Sequence, residues 1–319
     1  MSRRGCLRMW MWAVTAFGVA CRAGARDEAA VTNPIAFFQP AGPTLALTYD
    51  VSYRFLFIDL ITMGRARLEY TEGCWTSPAS PSASVAFLEF RFDSFDQPEQ
   101  GNRGRISIHS RVRTVLKLPD LGSLIYSRDV DEVLNPLLRH RVTTRYREAY
   151  DFQSGALVFR RDDLLTGAVQ TNVTGVCDPT MRGREIPLML QRLASVYHGR
   201  EPMLTRESGV RVSVNVDGVM TPFILTTQRG MTAVEVRSSG ELQAMQARFI
   251  AAPEAGGRGR TLTLWTASLA DVAAQIGDAA LARQASALPD WALVPLQAEY
   301  GLAIGRVRSR LTGITLRNN

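Results

Sequence analysis

From Val210 to Val216 every second residue is valine, with Arg211, Ser213 and Asn215 between them. A period of two sends alternate side chains to opposite sides of an extended ribbon, so this stretch folds as a strand with one buried face and cannot present a coherent helical face. Asp217-Gly218 follows as a two-residue turn, and Val219 to Thr226 returns. A hairpin is predicted.

The same alternation runs from Tyr49, where Tyr49, Val51, Tyr53, Phe55 and Phe57 share one face and Asp50, Ser52 and Arg54 take the other. Asp59 to Met63 reads as a turn, and Gly64 to Tyr70 as the returning strand with Ala66, Leu68 and Tyr70 inward. Further strands are expected at Phe87 to Phe92, Ile106 to Leu116, Tyr146 to Phe152, Ala156 to Arg160, Thr232 to Val236, Ala247 to Ala251, Thr261 to Trp265 and Ile304 to Leu316. Residues 76–84, rich in Ser, Pro and Ala, and 97–104, rich in polar residues, read as loops, as does the aperiodic stretch Gly167 to Gly183. Gln153-Ser154-Gly155 reads as a short turn, and Gly256-Gly257-Arg258-Gly259 as a hairpin tip.

Two segments have helical spacing. Pro187 to His198 places Leu190, Leu193, Ala194 and Tyr197 on one face, with Pro187 suited to the opening turn. The alanine-rich run from Leu269 to Ala287 places Leu269, Val272, Ala273, Ile276, Ala280 and Leu281 together, and Gly277 weakens its middle enough to split it into two helices. The fold class predicted is mainly β (α+β): a curved antiparallel sheet, or half-barrel, around a helix. One domain is expected over 45–317, with a helical insertion at 268–288 and a linker over 26–44 before it.

Residues 1–25 read as an export signal. Arg3, Arg4 and Arg8 precede the apolar run Met9 to Ala20, and Ala23-Gly24-Ala25 supplies small residues for cleavage. The run is too short to span a bilayer stably, so no transmembrane span is expected. Cys21 offers a second possibility as the lipid-bearing residue of an outer-membrane lipoprotein, but Gly18-Val19-Ala20 fits that cleavage box poorly. The expected address is the periplasm of a Gram-negative envelope. Removing the signal leaves 33 basic against 30 acidic residues, a formal +3. Lys117 is the only lysine, so the high pI reflects arginine used in its place, and no nucleic-acid footprint is read from it. Arg103, Arg105, Arg111 and Arg113 alternate with their neighbours as a solvated strand face does. Outside the signal only Cys74 and Cys177 remain; one disulfide or two free thiols are both open.

His109, His140 and His198 are few and scattered, and no His-Glu-x-x-His, Cys-x-x-Cys or Gly-x-Ser-x-Gly signature occurs, so no metal, cofactor or catalytic residue is assigned. The acid pairs Asp162-Asp163 and Asp93 with Asp96 read as solvated strand ends. An enzyme would require Tyr197, His198 or Arg200 in a pocket beside an acid.

Several short motifs, in order over about residues 45–313, resemble a bacterial exported family, domain of unknown function 3108 (DUF3108). Its opening strand, Tyr-x-Val-x-Tyr then Gly-x-Ala-x-Leu, is matched by Tyr49, Val51, Tyr53, Gly64, Ala66 and Leu68. Asn135-Pro136, Tyr146 and Asp151 match its middle strands. Val196-Tyr197-His198-Gly199-Arg200 resembles its helix end, with Val and His as departures. Leu262-Thr263-Leu264-Trp265, Val294-Pro295-Leu296 and Gly305-Arg306-Val307 match its late strands. The alanine-rich helix stands where the family has a brief acidic turn. The resemblance implies export and a half-barrel similar to lipoprotein-carrier (LolA/LolB-like) folds, and it implies no activity.

The function expected is that of an uncharacterised, non-enzymatic envelope domain binding a hydrophobic, lipid-like ligand or an envelope protein in the concavity of its sheet. The candidate ligand-binding residues are Tyr49, Tyr53, Phe55, Phe57, Tyr197, Arg200 and Trp265. The alternative is a structural or scaffolding module with a solid core.

Overall fold

The computed structural model describes residues 38–55, 58–77, 80–94, 106–119, 123–134, 142–151, 156–163, 169–174, 185–216, 219–237, 239–252, 261–286, 288–301 and 306–317. The expected signal, Phe57, Asp96, 97–104, Asn135-Pro136, Gln153-Ser154-Gly155, Cys177, Asp217-Gly218 and the glycine run at 256–259 lie outside them.

The chain is mainly β, with one large open antiparallel sheet of 14 strands in the order β8-β7-β6-β5-β4-β3-β2-β1-β14-β13-β12-β11-β10-β9. In sequence these are β1 (Phe38–Phe55), β2 (Ile58–Ser77), β3 (Ser80–Ser94), β4 (Ile106–Lys117), β5 (Ser123–Leu134), β6 (Val142–Asp151), β7 (Ala156–Asp163) and β8 (Val169–Thr174). Then come α1 (Glu185–Tyr197), β9 (Val210–Val216), β10 (Val219–Val236), β11 (Gly240–Ala251), β12 (Thr261–Ser268), α2 (Leu269–Ile276), α3 (Ala279–Ala285), β13 (Leu293–Gly301) and β14 (Arg306–Arg317). None of the described helices is long and apolar enough to cross a membrane.

Two compact units divide these elements. One takes the described residues of 47–62 and 185–316, the other those of 38–46 and 63–184. They are named below the β9–β14 unit and the β2–β8 unit.

In the β9–β14 unit the valine alternation does what its period requires. Val219 pairs with Val216, closing the hairpin over two residues, and Leu225 pairs with Val210. The row continues through Phe249, Leu262, Tyr300 and Val307, and all of these from Leu225 onward are buried. The opposite face is polar, carrying Thr226, Arg248, Thr263, Glu299 and Arg308 in one row. α1 packs beside β9 through an apolar face that includes Leu193, Ala194 and Val196. The alanine-rich run splits at Gly277, whose φ of 73° ends α2; Ser268 and Asp278 cap the starts of α2 and α3. Leu269, Val272, Ala273 and Leu281 are buried as expected, but Ile276 and Ala280 are exposed, because the left-handed break stops one face from continuing through both helices.

In the β2–β8 unit, Ala66, Phe92, Ser110 and Val130 form one row of the apolar face, and all are buried. Gly64 lies opposite Ser94, and a Cβ there would stand 2.2 Å from the Asp93 carbonyl oxygen, so the close approach of β2 and β3 requires glycine.

Several local expectations are corrected. Asp59 to Met63 is strand rather than turn, because β2 begins at Ile58. Most of the expected 76–84 loop is paired, with Trp75 opposite Ala83 and Ser77 opposite Ser80 around a bulge. Val169–Thr174, inside the expected Gly167–Gly183 loop, is drawn into the sheet by pairing with β7. β5 had no counterpart among the strands expected from alternation, and β1 begins at Phe38, inside the expected linker.

Candidate functional site

β1 carries the first of the expected ligand-binding residues. Tyr49 and Val51 are buried and Tyr53 is half-buried, while Arg54, of opposite parity, reaches Glu299 Oε1 at 3.4 Å on the polar face of the β9–β14 unit. Tyr49, Val51 and Tyr53 therefore share the apolar face with Tyr300 and Val307. Phe55 is the last residue of β1.

The Tyr49 hydroxyl has no hydrogen-bond partner among the described residues, and burial pushes its pKa upward. Thr266 Oγ1, also buried, is in the same condition. The register opposes Thr266 to Met245, and Met245 to Met231, so Thr266 is paired with a methionine on the apolar face. A buried hydroxyl without a partner costs roughly 1–3 kcal/mol, so such groups stand out on a face made otherwise of aliphatic and aromatic side chains. Met231, opposite Met245 on β11, is a large exposed apolar side chain.

Trp265 is elsewhere. It lies opposite Gln246 and Gln297, in the polar-face row next to Thr263 and Glu299, so the sheet separates it from Tyr49 and Tyr53. The expected set is thus divided between two faces. One-residue parity decides this, and the Leu262 to Trp265 stretch, apolar at Leu262, Leu264 and Trp265, does not announce it.

Tyr197 and Arg200 form a third location, at the end of α1. The Tyr197 hydroxyl donates to Asp271 Oδ2 at 2.7 Å, and the Ser268 hydroxyl donates to the same oxygen at 2.6 Å while accepting the Asp271 N–H at 3.0 Å. Burial first, then the Asp271 bond, push the Tyr197 pKa up to about 12, so the phenol stays protonated and donates to Asp271, while Ser268 acts on the phenol oxygen in the opposite direction. His198 Nε2 donates to the Asp290 carbonyl at 3.2 Å and its ring meets Tyr197 edge-on with centroids 5.3 Å apart. Arg200 pairs with the Asp290 carboxylate and holds its pKa below the ordinary value. Tyr197 and Arg200 each stand beside an acid, and the geometry is that of a clasp joining α1 to α2 and to the segment before β13. Each carboxylate of this clasp is engaged in capping or ion pairing.

The β2–β8 unit adds a centre that sequence reading missed. Glu89 on β3 is only 3% exposed and is gripped by Arg91, by Arg111 (Nη2 at 2.7 Å, Nε at 3.0 Å) and, at 3.8 Å, by Arg113. Burial lowers the Arg113 pKa, with Arg111 adding to the effect, and Asp129 at 3.2 Å opposes it. Glu299 repeats this arrangement in the other unit with Arg54, Arg306 and Arg308. Local sequence carries no signal for either centre, because their members are joined by register rather than by spacing.

Cys74 on β2 is a free thiol. Among the described residues no group of three His, Cys, Asp or Glu side chains is placed to hold a metal ion.

No family model matches the chain, and no curated protein matches it. Among solved structures it is similar to a β-barrel-like protein of domain-of-unknown-function family 1849 from Brucella abortus, with 9% identity and a TM-score of 0.44, over 88% of this chain and 99% of that one.

Proposed function

We propose that the chain is a non-catalytic, exported domain of a Gram-negative envelope that holds a hydrophobic, lipid-like ligand against the apolar face of its β9–β14 unit. The observation that carries this reading is the Tyr49 hydroxyl, buried and without a partner among the described residues, on a face whose other described buried members are mostly apolar. An acyl ester or a comparable acceptor embedded in an apolar ligand would satisfy it at no cost to the surrounding packing. Export rests on residues 1–25 and on the motif resemblance to domain-of-unknown-function family 3108, and the mature N-terminus by mass tests it. Ligand binding is tested by native mass spectrometry and lipid extraction of protein purified from the envelope. Co-purifying lipid that is lost in Tyr49→Phe supports the proposal; protein that is consistently ligand-free refutes it.

The second reading, a scaffold with a solid core, is favoured by the complete burial of Leu225, Ala247 and Val307 by neighbouring side chains alone. Cross-linking in cells separates the two, since a scaffold yields defined protein neighbours and a carrier yields lipid.

A further inference from the structure

The polar face of the β2–β8 unit carries an arrangement that the apolar-ligand reading does not use. Across β2 to β7 the register sets Arg67, Arg91, Arg111, Asp129, Arg147 and Arg160 in a single row, each opposite the next. Neighbouring strands lie about 4.8 Å apart, so Arg67, Arg91 and Arg111 are three successive cations on adjacent strands with no acid between them. Like charges directly opposite one another destabilise a sheet, and an arrangement of this kind requires compensating anions.

Among the described residues the compensation is incomplete. Arg67 is taken by Glu69, and Asp129 is taken by Arg113. Among the described residues Glu89 alone serves Arg91 and Arg111, and it is also the near neighbour of Arg113. Arg91 bonds through Nε, leaving both of its terminal nitrogens unused among the described residues. Arg111 spends Nε and Nη2 on Glu89 and keeps Nη1. These two side chains are 48% and 39% exposed, so the spare donors are open to solvent, while the carboxylate that orients them is almost fully buried. Two guanidinium groups fixed from below by one acid, with unspent N–H groups above it, form a preorganised oxyanion receptor. In the flanking row Asp93 stands between Arg65 and His109, so an acid borders the arginine row, and the site suits one or two anionic groups rather than a long polyanion.

On the same face, two rows away, Phe87 lies opposite Val115, and Phe38 stacks on Phe87 with centroids 5.1 Å apart. Phe38 and Phe87 pack on the buried Trp75, Val85 and Val115 and stay only partly covered, so their rim offers an apolar surface for the body of a phosphomonoester.

We propose that Arg91 and Arg111 bind a phosphate group. The source, a lipid headgroup or a free phosphate, is separated by the probes. The full mature chain is titrated calorimetrically with inorganic phosphate, and its capture is measured on phosphatidylcholine vesicles with and without phosphatidic acid. Arg91→Gln/Arg111→Gln should weaken phosphate binding at least tenfold; because it leaves the buried Glu89 with Arg113 alone it should also lower the unfolding midpoint, so Arg111→Lys, which keeps a cation beside Glu89, is measured alongside as the folded variant and should bind phosphate more weakly than the wild type. Arg306→Gln, an exposed arginine of the other acid centre, is the control and should bind as the wild type does. Tighter capture by phosphatidic acid vesicles than by phosphate identifies a headgroup, and equal affinity identifies the free anion. Absence of binding by the wild type to either probe overturns the proposal, as does undiminished binding by a folded double variant.

Discussion

Glu299→Gln is the substitution that most directly probes how the polar face of the β9–β14 unit is held. Glu299 is 6% exposed and is flanked by Arg308 across the β13–β14 pair, by Arg54 from β1 and by Arg306 toward solvent. The Arg308 side chain is 7% exposed, so removing the carboxylate leaves a guanidinium in a poorly solvated place without its closest anion. Breaking a buried pair by neutralising one partner costs about 3–5 kcal/mol. The amide keeps an acceptor oxygen for Arg308 and a neighbour for Gln297 Nε2, which lies 3.2 Å from Glu299 Oε1, so the lower figure, about 3 kcal/mol, is expected.

Against a total stability of roughly 5–15 kcal/mol this is a large fraction. Urea unfolding should show a lower midpoint with an unchanged slope, and hydrogen exchange should accelerate in peptides of β12 to β14 while β3 to β5 keep wild-type protection. Arg306→Met is the internal control: Arg306 is 63% exposed, and its loss should cost no more than about 1 kcal/mol. Coupling from the double-mutant cycle of Glu299→Gln with Arg308→Met should exceed about 1.5 kcal/mol. A loss below about 1 kcal/mol for Glu299→Gln, with no coupling to Arg308, would refute the claim that this acid neutralises a buried cation.

Tyr49→Phe should leave ligand-free protein as stable or up to about 1 kcal/mol more stable, since it deletes a partnerless buried hydroxyl, while lowering the amount of co-purifying lipid; calorimetry and extraction read the two effects. The Tyr197 pKa is pushed from 10.0 to about 12 in the folded protein, so the native state holds this proton more tightly than the unfolded chain does. That contribution is complete below the unfolded value and is lost as pH rises through the folded one, so wild-type stability should fall more steeply than that of Tyr197→Phe between pH 10.0 and about 12, as followed by chemical denaturation. Gly64→Ala drives a Cβ to within 2.2 Å of a backbone oxygen and should cost about 3 kcal/mol, whereas Gly277→Ala, with open space around it but φ at 73°, should cost about 1–2 kcal/mol; thermal unfolding ranks them.

The sequence was most legible where one period held without interruption. Val210 to Val216, Gly64 to Tyr70 and Ile106 to Leu116 each alternate cleanly, and each is a strand. β5 was hidden because Leu124 and Ile125 are adjacent and Val130 and Val133 differ in parity, so no single face emerges from its composition. β8, with Gln, Thr and Asn among its six residues, is a strand only by virtue of its ladder with β7. The 76–84 segment failed for the opposite reason: Ser, Pro and Ala describe a turn locally, and the partner strand outweighs that preference except at the tip. For the candidate site, Tyr49 and Tyr53 were legible as one face, and Trp265 was not separable from them, since parity along one strand says nothing about parity on a strand two hundred residues away until the intervening registers are fixed.

Arginine usage shows the same limit from the side of energetics. A chain with one lysine reads as a coding preference, and its arginines look dispersed because they are counted along the backbone. Pairing gathers Arg67, Arg91 and Arg111 from three strands into one row, and Arg54, Arg306 and Arg308 around one acid. An ammonium group could not do this equally well: a guanidinium offers five donors in a plane and is weakly hydrated, so several can lie against a single carboxylate and leave donors over. Replacing Arg91 or Arg111 with Lys should therefore preserve charge and fold while weakening phosphate binding, because the side-on contact that orients Arg111 on Glu89 needs two nitrogens held in one plane. If Arg111→Lys bound phosphate as the wild type does, charge alone would explain the site and the preorganised fork would be superfluous.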